Sequence, residues 1–255
     1  MRPVAFITGA SSGLGHGMAR RLAREGYAVA VTARRLPELE VLAREIRGEG
    51  GEAIPLALDV SDRAAVGEAV AACTRELGPV ELLVANAGIS EQTGARELSA
   101  EAVERVMRVN FLGAVYAAEA VLPGMLARDR GQLVAVGSLA GYGGLPLTAA
   151  YSASKGALHN FFESLRVDLR GTGVDVTFIT PGYVKSPLTD RNAHPMPFLV
   201  ETDDAVDRMV RAILRRDPLL TFPFPLAAAT WLAQILPARL YDRIASGVRR
   251  EKKRE

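Results

Sequence analysis

The chain has 255 residues, of which 49% are hydrophobic and 24% are charged, and its formal net charge is +2 at pH 7. This balance is typical of a globular protein, and the length suits one large α/β domain or two small ones. So small a net charge gives no indication of a nucleic-acid partner. The single cysteine, Cys73, excludes an intrachain disulfide and fits a reducing compartment. The first residues enter a strand pattern without the apolar stretch of a signal peptide, so we expect a cytoplasmic protein.

Strand-like and helix-like patterns alternate along the chain. Seven short runs rich in Val, Ile, Leu and Ala indicate strands that are buried on both faces of a parallel sheet. Between them, apolar residues recur every three or four positions, as at Leu14, Met18 and Leu22, which predicts helices. The alternation predicts a doubly wound α/β fold, and because no linker divides the chain we expect a single domain. The predicted strands are 3–8, 27–33, 52–58, 80–85, 131–137, 174–180 and 218–222.

The first strand leads into a glycine-rich turn, TGASSGLG at residues 8–15, which opens the first helix. Glycine permits positive φ and lets a ligand approach the backbone closely. A helix start offers free N–H groups and the positive end of the helix dipole to a phosphate. A turn of this kind, directly after a strand and before a helix, predicts a dinucleotide site. The predicted contacts are Gly9, Ser11, Ser12, Gly13, Leu14 and Gly15.

Two arginines follow the second strand, at the place where a dinucleotide fold often has an acidic residue for the ribose 2′-OH of NAD. Here Ala33 is followed by Arg34 and Arg35, whose guanidinium groups suit a 2′-phosphate. The sequence therefore predicts NADP(H) in preference to NAD(H). The alternative is that both arginines are solvated residues at a helix entrance, and it applies more readily to Arg35.

Several motifs occur together in an order that points to one family. They are the glycine-rich turn, Asn86-Ala87-Gly88 after the fourth strand, Asn110, Ser138, Tyr151 and Lys155 in YSASK, and Pro181-Gly182. This set resembles the short-chain dehydrogenase/reductase family over roughly residues 1–190. The resemblance implies a single-domain, Rossmann-type three-layer αβα sandwich with a seven-stranded, mostly parallel sheet. Residues 1–222 would form this nucleotide-binding and catalytic domain, and residues 223–255 a helical C-terminal extension of it.

Tyr151 and Lys155 lie four positions apart and therefore share one face of a helix. A free phenol has a pKa near 10, and a neighbouring ammonium favours the phenolate, so the pair predicts a tuned proton donor and acceptor. Ser138 follows the fifth strand at the ligand-binding edge of the sheet, where it can donate a hydrogen bond to a carbonyl oxygen. The resemblance adds Asn110 as the holder of a water that links Lys155 to solvent; a satisfied core asparagine is the alternative. No metal site is predicted.

The resemblance places the remaining cofactor contacts at other strand ends. Asp59 would lie beside the adenine with the Val60 backbone, although a capped turn involving Asp62 explains this segment equally well. Asn86 and Gly88 would form the floor under the adenosine ribose, bridge neighbouring strand ends, or do both. The contacts expected beside the nicotinamide are Pro181, Gly182, the Val184 backbone and Ser186.

Together the motifs predict an NADP(H)-dependent oxidoreductase that transfers hydride between the nicotinamide and a carbonyl or secondary alcohol. Two alternatives remain, a non-catalytic NADP-binding regulator and an epimerase-type enzyme on a related fold. A pure regulator would not need Asn110, Ser138, Tyr151 and Lys155 together, which argues against the first alternative. Epimerases of the related fold usually have a larger C-terminal substrate domain than this short tail, which argues against the second. The loops at 141–145 and 187–200 are largely apolar, so an apolar substrate is expected, but no motif identifies it.

The resemblance also implies a homodimer or homotetramer built from helices near 99–128 and 151–170. Phe161, Leu165 and Leu169 on the second of these helices would supply apolar surface for the contact.

The tail carries an apolar segment at 226–236 that is too short to span a membrane, followed by a basic end. Such a tail can dock on an anionic membrane or pack on protein. We expect packing, either over the substrate-side loops or across a subunit boundary, and peripheral membrane contact is the alternative. The basic residues are Arg249, Arg250, Lys252, Lys253 and Arg254.

Overall fold

The computed structural model describes residues 2–190 and 195–247 and contains seven strands within that part of the chain. They are β1 Val4–Thr8, β2 Ala28–Ala33, β3 Glu52–Ala57, β4 Val80–Ala85, β5 Gly131–Val136, β6 Val174–Pro181 and β7 Leu219–Phe222. The strands form one sheet in the order β3-β2-β1-β4-β5-β6-β7, and all six neighbouring pairs are parallel. Both ends of every strand lie within one residue of the predicted bounds. The prediction succeeds because apolar runs are typical of strands that are covered on both faces.

Helices cover both faces of the sheet. They are α1 Gly13–Arg24, α2 Leu36–Gly48, α3 Arg63–Leu77, α4 Ala100–Met107, α5 Gly113–Ala127, α6 Ala149–Asp168, α7 Thr202–Arg215, α8 Phe224–Gln234 and α9 Ala238–Ser246. Consecutive residues of β1 show the two faces: Phe6 belongs to the core shared with α3, α5 and α6, and Ile7 to the core shared with α1, α2 and α7. The predicted three-layer Rossmann-type sandwich is confirmed.

The order of the strands reverses beside β1, since β2 lies on one side of it and β4 on the other. In open parallel sheets, ligands bind in the crevice outside the carboxyl ends of the strands at this point. The glycine-rich turn follows β1 and Asn86 follows β4, so the fold brings two of the predicted motifs to this crevice.

One helical run, residues 100–127, has the length and composition of a membrane span. It consists of α4, a π-helical turn at Arg108–Leu112 and α5, and α5 packs against α3, β4 and β5 in the core. This packing is that of a core helix. The π-helical turn carries Asn110, and such turns are frequent at functional sites.

The apolar surface expected on α6 is smaller than the sequence suggested. Leu169 is only 7% exposed, and Phe161 and Leu165 are partly buried against the core of their own chain. Phe161 makes edge-to-face contacts with Phe111 and Phe162, which covers part of its ring. These side chains therefore give less support to a subunit contact than expected, and the homo-oligomer stays a prediction.

Candidate active site

The turn between β1 and α1 is packed so closely on the end of β4 that two of its positions require glycine. Gly9 has a φ of +69°, and a Cβ there would lie 2.7 Å from the Ala87 Cα. A Cβ on Gly15 would lie 2.5 Å from the Asn86 Nδ2 and press on the Gly9 carbonyl. The glycines thus form a cradle of bare backbone at the start of α1, as a phosphate site requires.

Asn86 fastens this turn to the neighbouring strand. Its side-chain Nδ2 donates to the carbonyls of Thr8, at 3.0 Å, and Gly9, at 3.2 Å. The backbone N–H groups of Asn86 and Ala87 both donate to the Thr8 hydroxyl, at 3.0 and 3.1 Å. The structure therefore shows the bridging role expected of Asn86, and contact with the adenosine ribose stays a prediction.

Arg35 and two serine hydroxyls surround the start of α1. The Arg35 guanidinium donates to Ser11 Oγ at 3.0 Å and to Ser12 Oγ at 3.2 Å, and it forms an ion pair with Glu38 at 3.4 Å. Ser12 is the N-cap of α1 but makes no side-chain capping hydrogen bond. The sequence favoured a solvated position more for Arg35 than for Arg34. In the structure, however, Arg35 contacts the glycine-rich turn. This donor set fits the phosphates of a dinucleotide.

Asp59 has a defined role in the turn after β3. Its Oδ1 accepts from the backbone N–H of Ser61 at 2.9 Å and from the Ser61 hydroxyl at 2.7 Å. Burial raises the pKa of the Asp59 carboxyl, but these hydrogen bonds and the charge of Arg34 outweigh it, so the net pKa is lowered. Asp62 caps α3 by accepting from the N–H groups of Ala64 and Ala65. The turn explanation therefore holds, and contacts of Asp59 and Val60 with the adenine stay a prediction.

Lys155 is buried at the centre of the site, with only 4% of its surface exposed. Its ammonium Nζ donates to the Val136 carbonyl at the end of β5, at 2.8 Å, and lies 5.9 Å from the centre of the Tyr151 ring. Burial lowers the pKa of Lys155 to about 8. A Cβ on Gly88 would lie 3.6 Å from this Nζ, so Gly88 leaves space directly beside the lysine.

Asn110 joins three elements around the pair. Its Oδ1 accepts from the Ile89 N–H at 2.8 Å, and its Nδ2 donates to the Ile89 carbonyl at 2.9 Å and to Ser154 Oγ at 3.0 Å. Ser154 in turn donates to the Tyr151 carbonyl at 2.8 Å. The side chain of Asn110 is therefore committed to protein partners, and its water-holding role stays a prediction. Ser154 belongs to no motif of its own, so its bond to Asn110 was not predicted from the sequence.

Ser138 and Tyr151 line the same cavity, which has a volume of about 450 Å³. Ser138 follows β5, and its Oγ accepts from the Ala140 N–H at 3.1 Å. None of the described residues that line the cavity has a charged side chain. Volumes of this size are typical of sites for small organic ligands.

The nicotinamide-side residues lie between the phosphate turn and the cavity. Gly182 donates its N–H to the Phe222 carbonyl at 2.7 Å and lines the cavity. Val184 is buried and forms an isolated bridge with Val200. A Cβ on Gly13 would lie 3.5 Å from the Ser186 Cβ, so this loop approaches the glycine-rich turn. The loop after β6 thus approaches the glycine-rich turn through Ser186 and the cavity through Gly182, and its contacts with the nicotinamide stay a prediction.

The tail forms one wall of the cavity. The phenol of Tyr241 in α9 donates to the Gly144 carbonyl at 2.6 Å, and a Cβ on Gly182 would lie 2.8 Å from Leu226 in α8. The expected packing over the substrate-side loops is confirmed for α8 and α9. Helical periodicity could have predicted these helices, but not which residues face the cavity. The cavity residues that the sequence did not identify individually are Ser90, Leu139, Ala140, Thr148, Tyr183, Leu226, Ala229, Thr230, Leu232, Ala233, Gln234, Leu236, Tyr241, Ile244 and Ala245.

The two loops expected to form the pocket contribute only in part. Gly143 and Leu145 from the first loop and Leu188 and Thr189 from the second line the cavity. Residues 191–194 of the second loop and the basic residues 249–254 lie outside the described residues.

Comparison with known proteins agrees with this geometry. The family model for the short chain dehydrogenases matches residues 3–197, and the chain belongs to this family. An uncharacterized oxidoreductase of Myxococcus xanthus (strain DK1622) is 50% identical over 245 residues, which cover 96% of this chain and 97% of that protein.

Two solved structures show the same fold with a nucleotide. An alcohol dehydrogenase of the archaeon Thermococcus sibiricus, complexed with 5-hydroxy-NADP, is 28% identical with a TM-score of 0.77, over 86% of this chain and 95% of that one. A short-chain dehydrogenase/reductase of Burkholderia phymatum in complex with NAD is 25% identical with a TM-score of 0.85, over 100% and 98%. The protein is therefore an NAD(P)-dependent oxidoreductase of the short-chain dehydrogenase/reductase type.

Proposed function

We propose that the protein is an NADP(H)-dependent carbonyl reductase or secondary-alcohol dehydrogenase that acts on an uncharged, largely apolar substrate. The observation that carries this proposal is the cavity in which the hydroxyls of Ser138 and Tyr151 meet a lining without charged side chains. A carboxylate or phosphate on the substrate would lose its hydration there without gaining a counter-charge, which is costly. A neutral ketone would lose little and would gain two hydrogen-bond donors for its carbonyl oxygen.

The bound cofactor supplies or accepts the hydride, and this chain supplies the proton and the orientation. Ser138 and Tyr151 hold the substrate oxygen, and the Tyr151 phenol donates its proton to it during reduction. With a pKa of about 8, Lys155 stays largely protonated at neutral pH, and its positive charge favours the phenolate form of Tyr151. An ammonium has three N–H donors. Val136 accepts one of them, and the remaining donors suit the nicotinamide ribose and a proton-relaying water.

Asn110 acts in this proposal as a positioning residue. It reaches Tyr151 through Ser154, whose hydroxyl links the Asn110 amide to the Tyr151 backbone. These bonds fix the first turn of α6 relative to the loop after β4 and so set the direction of both Tyr151 and Lys155. The relay water expected near Asn110 belongs to the same proposal.

The preference for NADP(H) rests on Arg34 and Arg35. The two solved relatives contain NAD in one case and 5-hydroxy-NADP in the other, so membership of the family leaves the choice open. In this chain Ala33 takes the place of an acid, and Arg35 already contacts Ser11 and Ser12 beside the phosphate turn. Arg34 is exposed at the same strand end, where its charge acts on Asp59. Two guanidiniums at this point suit the 2′-phosphate.

Fluorescence titration with NADPH and NADH tests this preference. We expect Arg34→Ala and Arg35→Ala each to weaken NADPH binding by about 1–3 kcal/mol, the range for hydrogen bonds to charged groups, with little effect on NADH. Arg75→Ala, at an exposed position in the last turn of α3, is the matched control and should change neither affinity. Binding of NADH by the wild-type protein that equals or exceeds that of NADPH would contradict the proposal.

The reaction itself is tested by NADPH consumption over a panel of ketones, aldehydes and acyl thioesters. Neutral apolar ketones should be the preferred class. Tyr151→Phe keeps the ring but removes the proton donor, so turnover should fall at least about a hundredfold while NADPH still binds. Tyr142→Phe is the control, since the Tyr142 ring packs against His159 and does not line the cavity. Tight NADPH binding without consumption for any class would favour the regulatory alternative.

A further inference from the structure

The helices α8 and α9 have two apolar sides. One side lines the cavity, and the other is exposed: Ala227 is the only buried residue of α8, and no residue of α9 is buried. Six large apolar side chains of this segment are exposed, from 41% for Trp231 to 78% for Ile235. Contiguous exposed apolar surface of this kind marks an interaction site. We call the six residues the outer tail surface: Phe224, Trp231, Leu232, Ile235, Leu240 and Ile244.

The cavity and the outer tail surface share side chains. Leu232 of α8 and Ile244 of α9 both line the cavity, yet they are 61% and 54% exposed. These two side chains therefore belong to the cavity wall and to the outer tail surface at once. Both helices therefore contribute an apolar border that the cavity shares with the exterior.

The helix α9 carries three parallel stripes of different character. Residues four apart share a face of a helix, so Tyr241 and Ala245 form the stripe towards the cavity, and Leu240 and Ile244 form the outer apolar stripe. Arg239 and Arg243, both exposed, precede these two residues and form a basic stripe along the other edge of the apolar one. Basic residues beside an exposed apolar row are typical of helices that lie in a membrane interface.

The distribution of charge agrees with this arrangement. Residues 237–255 contain seven basic and three acidic side chains, a net charge of +4, whereas the whole chain has only +2. The rest of the chain is therefore at −2, and the positive charge is concentrated in the last nineteen residues of the sequence, which include Leu240 and Ile244 of the outer tail surface. Basic clusters of this kind are attracted to anionic lipid headgroups.

We propose that the outer tail surface docks on an anionic lipid bilayer, with the mouth of the cavity facing the lipid. Apolar side chains enter the interface while the basic stripe meets the headgroups. A neutral carbonyl compound dissolved in the bilayer can then enter the cavity between α8 and α9 without crossing water. This last step rests on the proposed function, whereas the docking itself does not.

Binding of the full-length protein to vesicles tests the docking without any measurement of activity. The vesicles are phosphatidylcholine alone or phosphatidylcholine mixed with phosphatidylglycerol. Trp231 is the single tryptophan of the chain, so its fluorescence reports directly on the surface. We expect sedimentation with the anionic vesicles, weak binding to the neutral ones, and a blue shift of the Trp231 emission. Absence of binding and of the shift with anionic vesicles would overturn the proposal.

Variants separate the apolar contribution from the charge. Ile235→Ser, at a position that does not line the cavity, should weaken binding to anionic vesicles about tenfold or more, and Arg239→Glu with Arg243→Glu should remove the preference for anionic lipid. Val167→Ser on α6 is the matched control, since Val167 is 58% exposed but lies at the end of α6 away from Tyr151, and it should bind like wild type.

Two further measurements distinguish the docking from its competitors. Light scattering without vesicles should give the same mass for wild type and Ile235→Ser. A larger wild-type mass that falls in Ile235→Ser would overturn membrane docking in favour of a contact between two copies of the chain. NADPH consumption with a water-soluble ketone should be unchanged in Ile235→Ser. Tyr151→Phe should lose activity but bind anionic vesicles like wild type. Activity that persists in this variant would contradict the proposed function without affecting the docking.

Discussion

Replacement of Asn110 by leucine is the perturbation that most directly tests how the site is held together. Leucine has the same branched skeleton, with somewhat bulkier methyl groups, but removes all three side-chain hydrogen bonds, two to the Ile89 backbone and one to Ser154. Asn110 is only 1% exposed, so water has little access to replace these bonds. A net value of about 1 kcal/mol for each of the three bonds, with up to about 1 kcal/mol more for the poorly satisfied backbone groups on Ile89, gives a destabilisation of roughly 3–4 kcal/mol.

Thermal unfolding followed by circular dichroism measures this effect. For a chain of this size, roughly 2–4 °C is lost per kcal/mol, so Asn110→Leu should unfold about 5–15 °C below wild type. Ser154→Ala breaks only the bond to Asn110 and the bond to the Tyr151 carbonyl, so its loss should be smaller. A loss in Asn110→Leu that is below about 1 kcal/mol, or no larger than that in Ser154→Ala, would refute the assignment of Asn110 as the fastening of α6.

Two further predictions follow from burial. Lys155 has its pKa lowered from 10.5 to about 8 by desolvation, so between these values the unfolded chain binds more protons than the folded one and stability rises with pH. Urea unfolding should therefore show the stability of wild type, relative to Lys155→Met, increasing from about pH 8 to pH 10.5; a constant difference would contradict the burial of the charge. Cys73 is 0% exposed and its pKa is raised by burial to about 12, so a thiol reagent should label it only on unfolding; rapid labelling of the native protein would show that this part of the core is open.

The sheet was predictable because burial on both faces leaves a strong pattern. A strand such as β1 is buried at every position and apolar from Val4 to Ile7, and no turn residue interrupts it. The turn at Gly9 was predictable for a related reason, since close packing on Ala87 leaves room for glycine alone. Steric and solvation requirements of this kind restrict the residue type at each position separately, so they can be predicted from the sequence.

The links between these residues were much harder to predict. Ser154 is a small residue in the second turn of α6, and nothing in the sequence distinguishes an open position from a hydroxyl bonded to Asn110. The π-helical turn at Arg108–Leu112 has no sequence signal that separates it from the continuous helix, yet it carries Asn110. Pairings of this kind depend on tertiary geometry, which brings together residues that are far apart in the chain.

The tail shows a different limit. Its apolar residues predict helices that pack on protein. These residues lie on two sides of α8 and α9, however, and periodicity cannot assign one side to a cavity and the other to the exterior. The exposed positions become informative only when Leu232 and Ile244 are seen to belong to both sides.

The division of labour within the fold follows from how each part is anchored. Lys155, Asn110 and the Gly9 turn are held by hydrogen bonds to strand ends and to α6, in a region buried from both sides. The wall formed by α8 and α9 has few buried residues and contacts the loop after β5 through the Tyr241 phenol. Segments with few buried contacts open at low cost and tolerate change. Under the proposed function, the chemistry is thus built into the rigid edge of the sheet. Under the proposed docking, the choice and the entry of the substrate depend on α8 and α9, which can vary without disturbing that edge.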